Sequence, residues 1–255
     1  MIIALKDHDW LAKQKHAGRC VANILKSCGE AIKTTQPNLS LKDLEDIAVQ
    51  LLKAYDCLPT FLNYNGFPAV ACISVNKELV HGVASDYILQ SGDIVSIDVG
   101  ATYKGSIADA ARTWIYGDPK NPLHVMMLDT CKEALVAGQN AVKIGSKTGA
   151  IGYTISRLVS KSPFGLITDY GGHGIGPELH EDPFVANKSL PTDGVHIVNG
   201  LSIAIEPMIC IGQPITKVAS ESFTVCTPDV GCHFENSVTV MDDQVHIITE
   251  ISNEN

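Results

Sequence analysis

An α+β fold in a single domain is what the sequence predicts, on three observations. Apolar residues recur at helical spacing in two segments near the N-terminus and in two more around the midpoint. Each helical stretch is followed by short β-like runs, and no Pro-rich or Ser-rich linker interrupts the 255 residues.

Taken in order, Asp9 precedes a run in which Trp10, Ala17, Val21, Ile24, Cys28 and Ala31 recur at three, four or seven, one face of a first helix. Ser40 and Asp43 have the spacing of a capping box for a second helix through Leu44, Ile47, Leu51 and Tyr55. Asn121-Pro122 opens a third, since proline is tolerated in a first turn, with Leu123, Met126, Thr130, Ala134, Ala137 and Ala141 on its inner side. A fourth runs from Thr148 to about Ser160. Strands are expected in "VACISV", "DIVSIDVGATY", "SIADAARTWIY", "LSIAIEPMIC", "SFTVCT", "HFENSVTVM" and "VHIITE". The helix-then-strand order occurs twice, giving halves of about 1–120 and 121–255, although no repeat at the level of letters accompanies it.

Composition narrows the function. The net charge is -9 and the Lys and Arg residues are scattered, which disfavours a nucleic-acid surface as the main ligand. No apolar run approaches the ~18 residues of a membrane span, and the N-terminus has too short an apolar core for a secretion signal, so a soluble, cytoplasmic protein is expected. Eight cysteines lack any C-x-x-C pair and sit mostly in apolar stretches, the pattern of buried thiols in a reducing compartment. Function is therefore sought in a pocket.

The stretch "YGGHGIGPELHEDP", 170–183, holds four glycines and two histidines. Each glycine costs about 1 kcal/mol against alanine in a helix and proline more, so an irregular loop is expected, its glycines letting backbone pass close to something. In "DIVSIDVGATYKGSIADAARTW", a reversal between Tyr103 and Lys104 would set Asp98 directly across from Asp109. Apolar neighbours make burial of the pair credible, and a buried pair shares a proton or holds a cation. Glu206 and Glu235 lie in similar apolar settings. With His173 they make one imidazole and four carboxylates, a charge of -4 that two divalent cations would cancel. Oxygen-rich ligation with one nitrogen suits manganese, iron(II) or cobalt, and a two-metal centre makes water nucleophilic near neutral pH.

These residues resemble the type I methionine aminopeptidases. "VNKELVHGV", "GDIVSIDVG", "ADAARTW", "GGHGIGPELHEDP", "IEPM" and "FENSVTV" follow in that family's order, from "AGRCVANIL" almost to the C-terminus. The resemblance implies a pita-bread fold, two pseudo-symmetric αβ halves around a central antiparallel sheet, and removal of N-terminal methionine from peptides and nascent proteins with a small second residue. It implies Asp98 as ligand of one metal, Asp109 and Glu235 as bridges, and His173 and Glu206 completing the other. Glu206 would also be the general base and then acid. His180 would stabilise charge on the scissile carbonyl oxygen, and His81 would touch the peptide beyond the cleaved residue. Phe61, Tyr64, Phe67, Cys72 and Phe223 match the methionine pocket, where sulfur and aromatic contacts are worth about 0.3 to 1.5 kcal/mol each. A monomer acting with transient ribosome contact fits the same resemblance.

Four positions depart from the family pattern: His233 for glutamine, Asn236 for histidine, Asn65 for histidine, and Gly171 for cysteine. His233 lies two before Glu235, so on a strand both face one way; a passive polar contact is the expectation, an added ligand or proton relay the alternative. The rivals are a proline-directed peptidase of the same fold, a type II methionine aminopeptidase with an inserted helical segment, and a non-catalytic binding module, which would lose metal ligands.

Overall fold

The computed structural model describes residues 3–35, 37–220 and 222–251. In chain order the elements are α1 (His8–Thr34), α2 (Leu41–Ala54), β1 (Leu58–Pro59), β2 (Cys72–Val75), β3 (Glu78–Val80), β4 (Asp93–Tyr103) and β5 (Ser106–Tyr116). Then come α3 (Pro122–Asn140), α4 (Gly149–Val159), β6 (Phe164–Leu166), β7 (Gly171–Gly174), β8 (Glu181–Ala186), β9 (Ser202–Ile205) and β10 (Met208–Ile211). The chain closes with β11 (Lys217–Val218), β12 (Val225–Cys226), β13 (Gly231–His233), β14 (Asn236–Met241) and β15 (Gln244–Ile247).

The four helices form where their caps are. Asp7, not Asp9, caps α1 by accepting from the Trp10 amide at 2.8 Å, because the helix starts at His8, two residues earlier than the apolar pattern suggests. Ser40 and Asp43 make the full capping box of α2. Asn121 caps α3 with Pro122 behind it, but the buried face is His124, Met127, Cys131, Ala134, Leu135 and Gly138. The expected inner side is thus rotated by about one residue: Leu123 and Met126 are exposed.

Among the described residues the strands form four sheets, all paired antiparallel. β4 is flanked by β1 and β2 on one edge and β5 on the other, while the largest sheet runs β15-β14-β9-β7-β8. α1 covers β4 and β5 and α2 packs on the outside of α1, so that Ile24, Leu25, Leu44, Val95, Ile97 and Ala110 share one core. α3 and α4 build a second core, in which Met127, Ile151 and Ile155 meet Ile203, Ile205 and Val238. Each such side chain, fully buried, contributes roughly 1.5 to 3 kcal/mol. The cores exchange parts: Ile248 near the end of the chain packs in the first, and Ile94 in the second. β5 is buried along nearly its whole length, as a strand covered on both faces must be.

Three expectations need correction. The turn between β4 and β5 is Lys104-Gly105, with φ of 47° and 83°, a two-residue hairpin that needs two left-handed residues. Tyr103 therefore pairs with Ser106, Asp98 with Ala111 and Asp109 with Gly100. Asp98 and Asp109 are diagonal neighbours on one face rather than directly opposed.

Residues 170–183 are not simply an irregular loop, for β7 and β8 form an antiparallel hairpin with a register shift between Gly172 and Gly174. Strand-breaking propensity is overridden by close approach: a Cβ on Gly172 would run into the Ala204 carbonyl oxygen, and one on Gly174 into that of Asp182. "LSIAIEPMIC" and "HFENSVTVM" are each two strands in different sheets, broken at Glu206-Pro207 and Phe234-Glu235.

Candidate metal centre

Those two breaks matter because each delivers a carboxylate. Pro207 has no amide hydrogen to donate, and where the chain leaves one sheet for another Glu206 and Glu235 stand outside any ladder. Phe234 donates its amide to the Pro207 carbonyl at 3.3 Å and Glu235 donates its own to the Ala111 carbonyl at 2.9 Å, so the gaps are bonded to each other and to β5. Asn187 holds the Glu206 carbonyl from the other side at 3.1 Å.

Asp109 is fixed as firmly. Its amide donates to Ser237 Oγ at 2.9 Å, and Ser237 Oγ donates back to its carbonyl at 2.8 Å, which staples β5 to β14. One turn of strand away the buried Arg112 guanidinium donates to the Glu235 carbonyl at 2.6 Å, the Ala111 carbonyl at 2.9 Å and Asn236 Oδ1 at 3.0 Å. Asn236, one of the four departures, thus has a structural task, since its Oδ1 also accepts from Thr249 at 2.9 Å.

The side chains so held converge. Asp109, His173 and Glu235 each bring one ligating atom within 4.8 Å of the others. His173 Nε2 lies 3.9 Å from Asp109 Oδ2 and 3.7 Å from Glu206 Oε1. Burial and then the neighbouring Asp109 push the Asp98 carboxyl well above its usual range; burial and again Asp109 do the same to Glu235. Burial raises Asp109 to about 6, against the pull of His173. Burial also pushes Glu206 upward, but the imidazoles of His233, His173 and His180 outweigh it and leave this carboxyl lowered.

Carboxyl oxygens of Asp98, Asp109 and Glu235 are buried without a hydrogen-bond partner among the described residues. Crowded carboxylates that hold on to protons and lack donors are what a cation site leaves behind when only protein atoms are counted. An oxygen-rich set with imidazole fits divalent manganese, iron or cobalt.

Beside this cluster a cavity of about 260 Å³ takes in every expected pocket residue: Phe61, Tyr64, Phe67, Cys72 and Phe223, together with His81 and His180. Phe61, Phe67 and Cys72 are buried, whereas Phe223 is 42% exposed and meets Phe67 edge-on with centroids 5.5 Å apart, forming the outer wall. His180 packs against His173 with ring centroids 4.4 Å apart, and its Nδ1 lies 2.9 Å from the Tyr64 hydroxyl. Burial, then His173, hold the His180 imidazole below its ordinary value. His81 is also lowered by burial, and sits at φ 59°, a left-handed conformation that a histidine adopts at a cost. Asn65 lines the same cavity, also left-handed at φ 48°.

Val80, Tyr170, Leu179 and Met208 line the cavity too and were not singled out by the sequence. Their signal was adjacency: each stands within three residues of His81, His173, His180 or Glu206.

A mixed αβ fold built from antiparallel sheets, with an acidic, imidazole-bearing cluster opening on an apolar cavity, defines a candidate divalent-metal centre with room for a ligand beside it. The sequence model of metallopeptidase family M24 matches residues 12–242, and the chain belongs to that family. The methionine aminopeptidase of Clostridium acetobutylicum is 36% identical over 251 residues, covering 97% of this chain and 99% of that protein. Methionine aminopeptidase 1 of Bacillus subtilis is 34% identical, over 94% of this chain and 96% of its own length. The crystal structure of the Thermotoga maritima methionine aminopeptidase superposes with a TM-score of 0.93 at 33% identity, covering 98% of this chain and 100% of that one. The Pyrococcus furiosus prolidase shares the fold, with a TM-score of 0.75 at 22% identity, and this chain spans 65% of it. The fold is the pita-bread fold.

Proposed function

We propose that the protein is a methionine aminopeptidase, releasing the initiator methionine from peptides and nascent proteins with a small second residue. The observation that carries the reading is the placement of Asp98, Asp109, His173, Glu206 and Glu235 on the wall of one cavity whose other wall is aromatic and sulfur-bearing. Those five side chains would hold two divalent ions, cobalt, manganese or iron. When bound, such a pair polarises the scissile carbonyl and supplies water acidified to near neutral pH.

The chain's own groups do the rest. Glu206, the carboxyl of the cluster that is lowered despite burial, takes the proton of the attacking water and passes it to the leaving amine. The Tyr64 hydroxyl lies 2.9 Å from His180 Nδ1; with the hydroxyl as donor the ring hydrogen sits on Nε2, the nitrogen then free to donate to the carbonyl oxygen as charge grows there. Because this ring is held neutral, it donates without adding charge to the site. His81, on its strained backbone, reaches the peptide beyond the cleaved bond. Phe61, Phe67 and Cys72 close around the methionine side chain and exclude water, with Tyr64 and Phe223 at the entrance. Eight free cysteines, all but Cys226 buried, support a reducing cytoplasmic setting for a monomer meeting chains as they leave the ribosome.

The test measures metal content alongside release of the first residue from Met-Ala-Ser and Ala-Pro-Ser peptides. Cleavage of the first is expected, and Glu206→Gln with its metal retained should lose about 10² to 10⁴ in kcat. Cleavage of the second peptide alone would transfer the protein to the proline-directed peptidases, and normal turnover in the variant would remove Glu206 from its role.

A further inference from the structure

His233 belongs to the metal centre more closely than a passive neighbour would. Its side chain is 2% exposed and neither ring nitrogen has a hydrogen-bond partner among the described residues, an unusual state for a buried imidazole. The backbone leaves it little choice of place. Its amide donates to Thr113 Oγ1 at 3.0 Å and its carbonyl accepts from that hydroxyl at 2.8 Å, so β13 is clamped to β5 at this residue. From there Nε2 points between two carboxylates, 3.5 Å from Glu206 Oε2 and 3.8 Å from Glu235 Oε2.

These separations also suit donors that share an ion. Two donors bound to one ion at about 2.0 to 2.2 Å each stand roughly 3 Å apart at a right angle and about 4.3 Å apart across the ion. His173 Nε2 keeps 3.7 and 3.9 Å from its carboxylates, and His233 keeps 3.5 and 3.8 Å from its own. Both distances of each imidazole fall inside the ligand range and beyond a well-formed hydrogen bond. Glu206 is flanked on both sides, its Oε1 by His173 and its Oε2 by His233.

We infer that His233 is a sixth protein ligand, giving the ion that Glu206 holds a second imidazole. The inference rests on the metal-centre reading above. A neutral imidazole leaves the charge balance of four carboxylates against two divalent ions untouched, while shifting the donor set toward nitrogen. Affinity for nitrogen-preferring ions such as zinc and cobalt should rise relative to manganese.

Protein labelled with ¹⁵N in its nine histidines and titrated with Zn²⁺ alone reports each coordinated ring nitrogen by its shift in long-range ¹H–¹⁵N spectra. Two coordinated imidazoles are expected, one of them absent in His233→Gln. That variant should bind Zn²⁺ at least about tenfold more weakly while its Mn²⁺ affinity changes less. A single coordinated imidazole in the wild type overturns the inference even if the variant does not fold, as does a variant that keeps both signals or the full Zn²⁺ affinity. No coordinated histidine at saturating Zn²⁺ would overturn the metal-centre reading itself, an outcome distinct from the loss of one ligand.

Discussion

Stripping the metal and raising the pH should expose the strain stored among the carboxylates, and Asp109 gives its size. It is 3% exposed, and burial lifts its carboxyl from 3.8 to about 6. A group whose folded pKa is raised contributes stability that is full below the unfolded value and lost as pH rises through the folded one. A shift of roughly two units corresponds to about 3 kcal/mol, of which roughly half disappears between about pH 5 and pH 8.

Asp98 and Glu235 are raised as well, and Asp109 is a cause in both, so Asp109→Asn relieves more than its own share. Lowered histidines such as His81 and His180 pull the other way, being most stabilising above their unfolded values, and therefore the comparison must be between proteins. Glu206, whose carboxyl is lowered, loses its contribution only on the acid side of the window. Urea denaturation of chelator-treated wild type and Asp109→Asn, measured at both ends of that pH range, gives the difference. The wild type should lose about 1 to 2 kcal/mol more than the variant. Equal pH slopes in the two metal-free proteins would refute the reasoning, for Asp109 would then titrate in the fold as it does in the open chain.

Three other perturbations follow from the same contacts. Ser237→Ala leaves the buried Asp109 amide without its acceptor and should cost about 1 to 3 kcal/mol in urea unfolding, with metal affinity by calorimetry falling roughly tenfold or more. Gly174→Ala drives a methyl group into the Asp182 carbonyl and should lower stability by about 1 to 3 kcal/mol, which thermal unfolding will show as a reduced Tm. Tyr64→Phe removes the 2.9 Å contact to His180 Nδ1; the expected loss in kcat/KM is about 2- to 13-fold, with metal content unchanged.

What the letters could show was set by how local each cause is. The capping box of α2 and the Asn-Pro start of α3 are contained within four residues, and both were readable. The rotation of α3 was not, because Leu123, Val125, Met126, Met127 and Leu128 place apolar side chains all round and leave the phase undetermined. The extent of β4 and β5 was plain, yet the register depended on which two residues turn left-handed, and moving the turn by one residue displaced each pairing by two.

The clustered carboxylates stand out as acids among apolar neighbours, and the pocket positions come through resemblance. Their supports did not stand out. Nothing near Ser237 says that it bonds to a residue 128 positions earlier, nor does Arg112 announce Asn236, 124 positions later. The glycines around His173 were understood as allowing close approach, but that the approach is a neighbouring strand could be learned only once β9 was in place.

The staple between Asp109 and Ser237 has a bearing on how a functional copy comes into being. A chain still growing can close the β4–β5 hairpin early, but its two aspartates then sit side by side on one face without the groups that anchor and complement them. Contacts at such sequence distance are slow to form and come late. Synthesis stopped before β14, or loss of that strand, should therefore yield inert material rather than a weakened enzyme, and competence should arrive in one step, once β14 has been made.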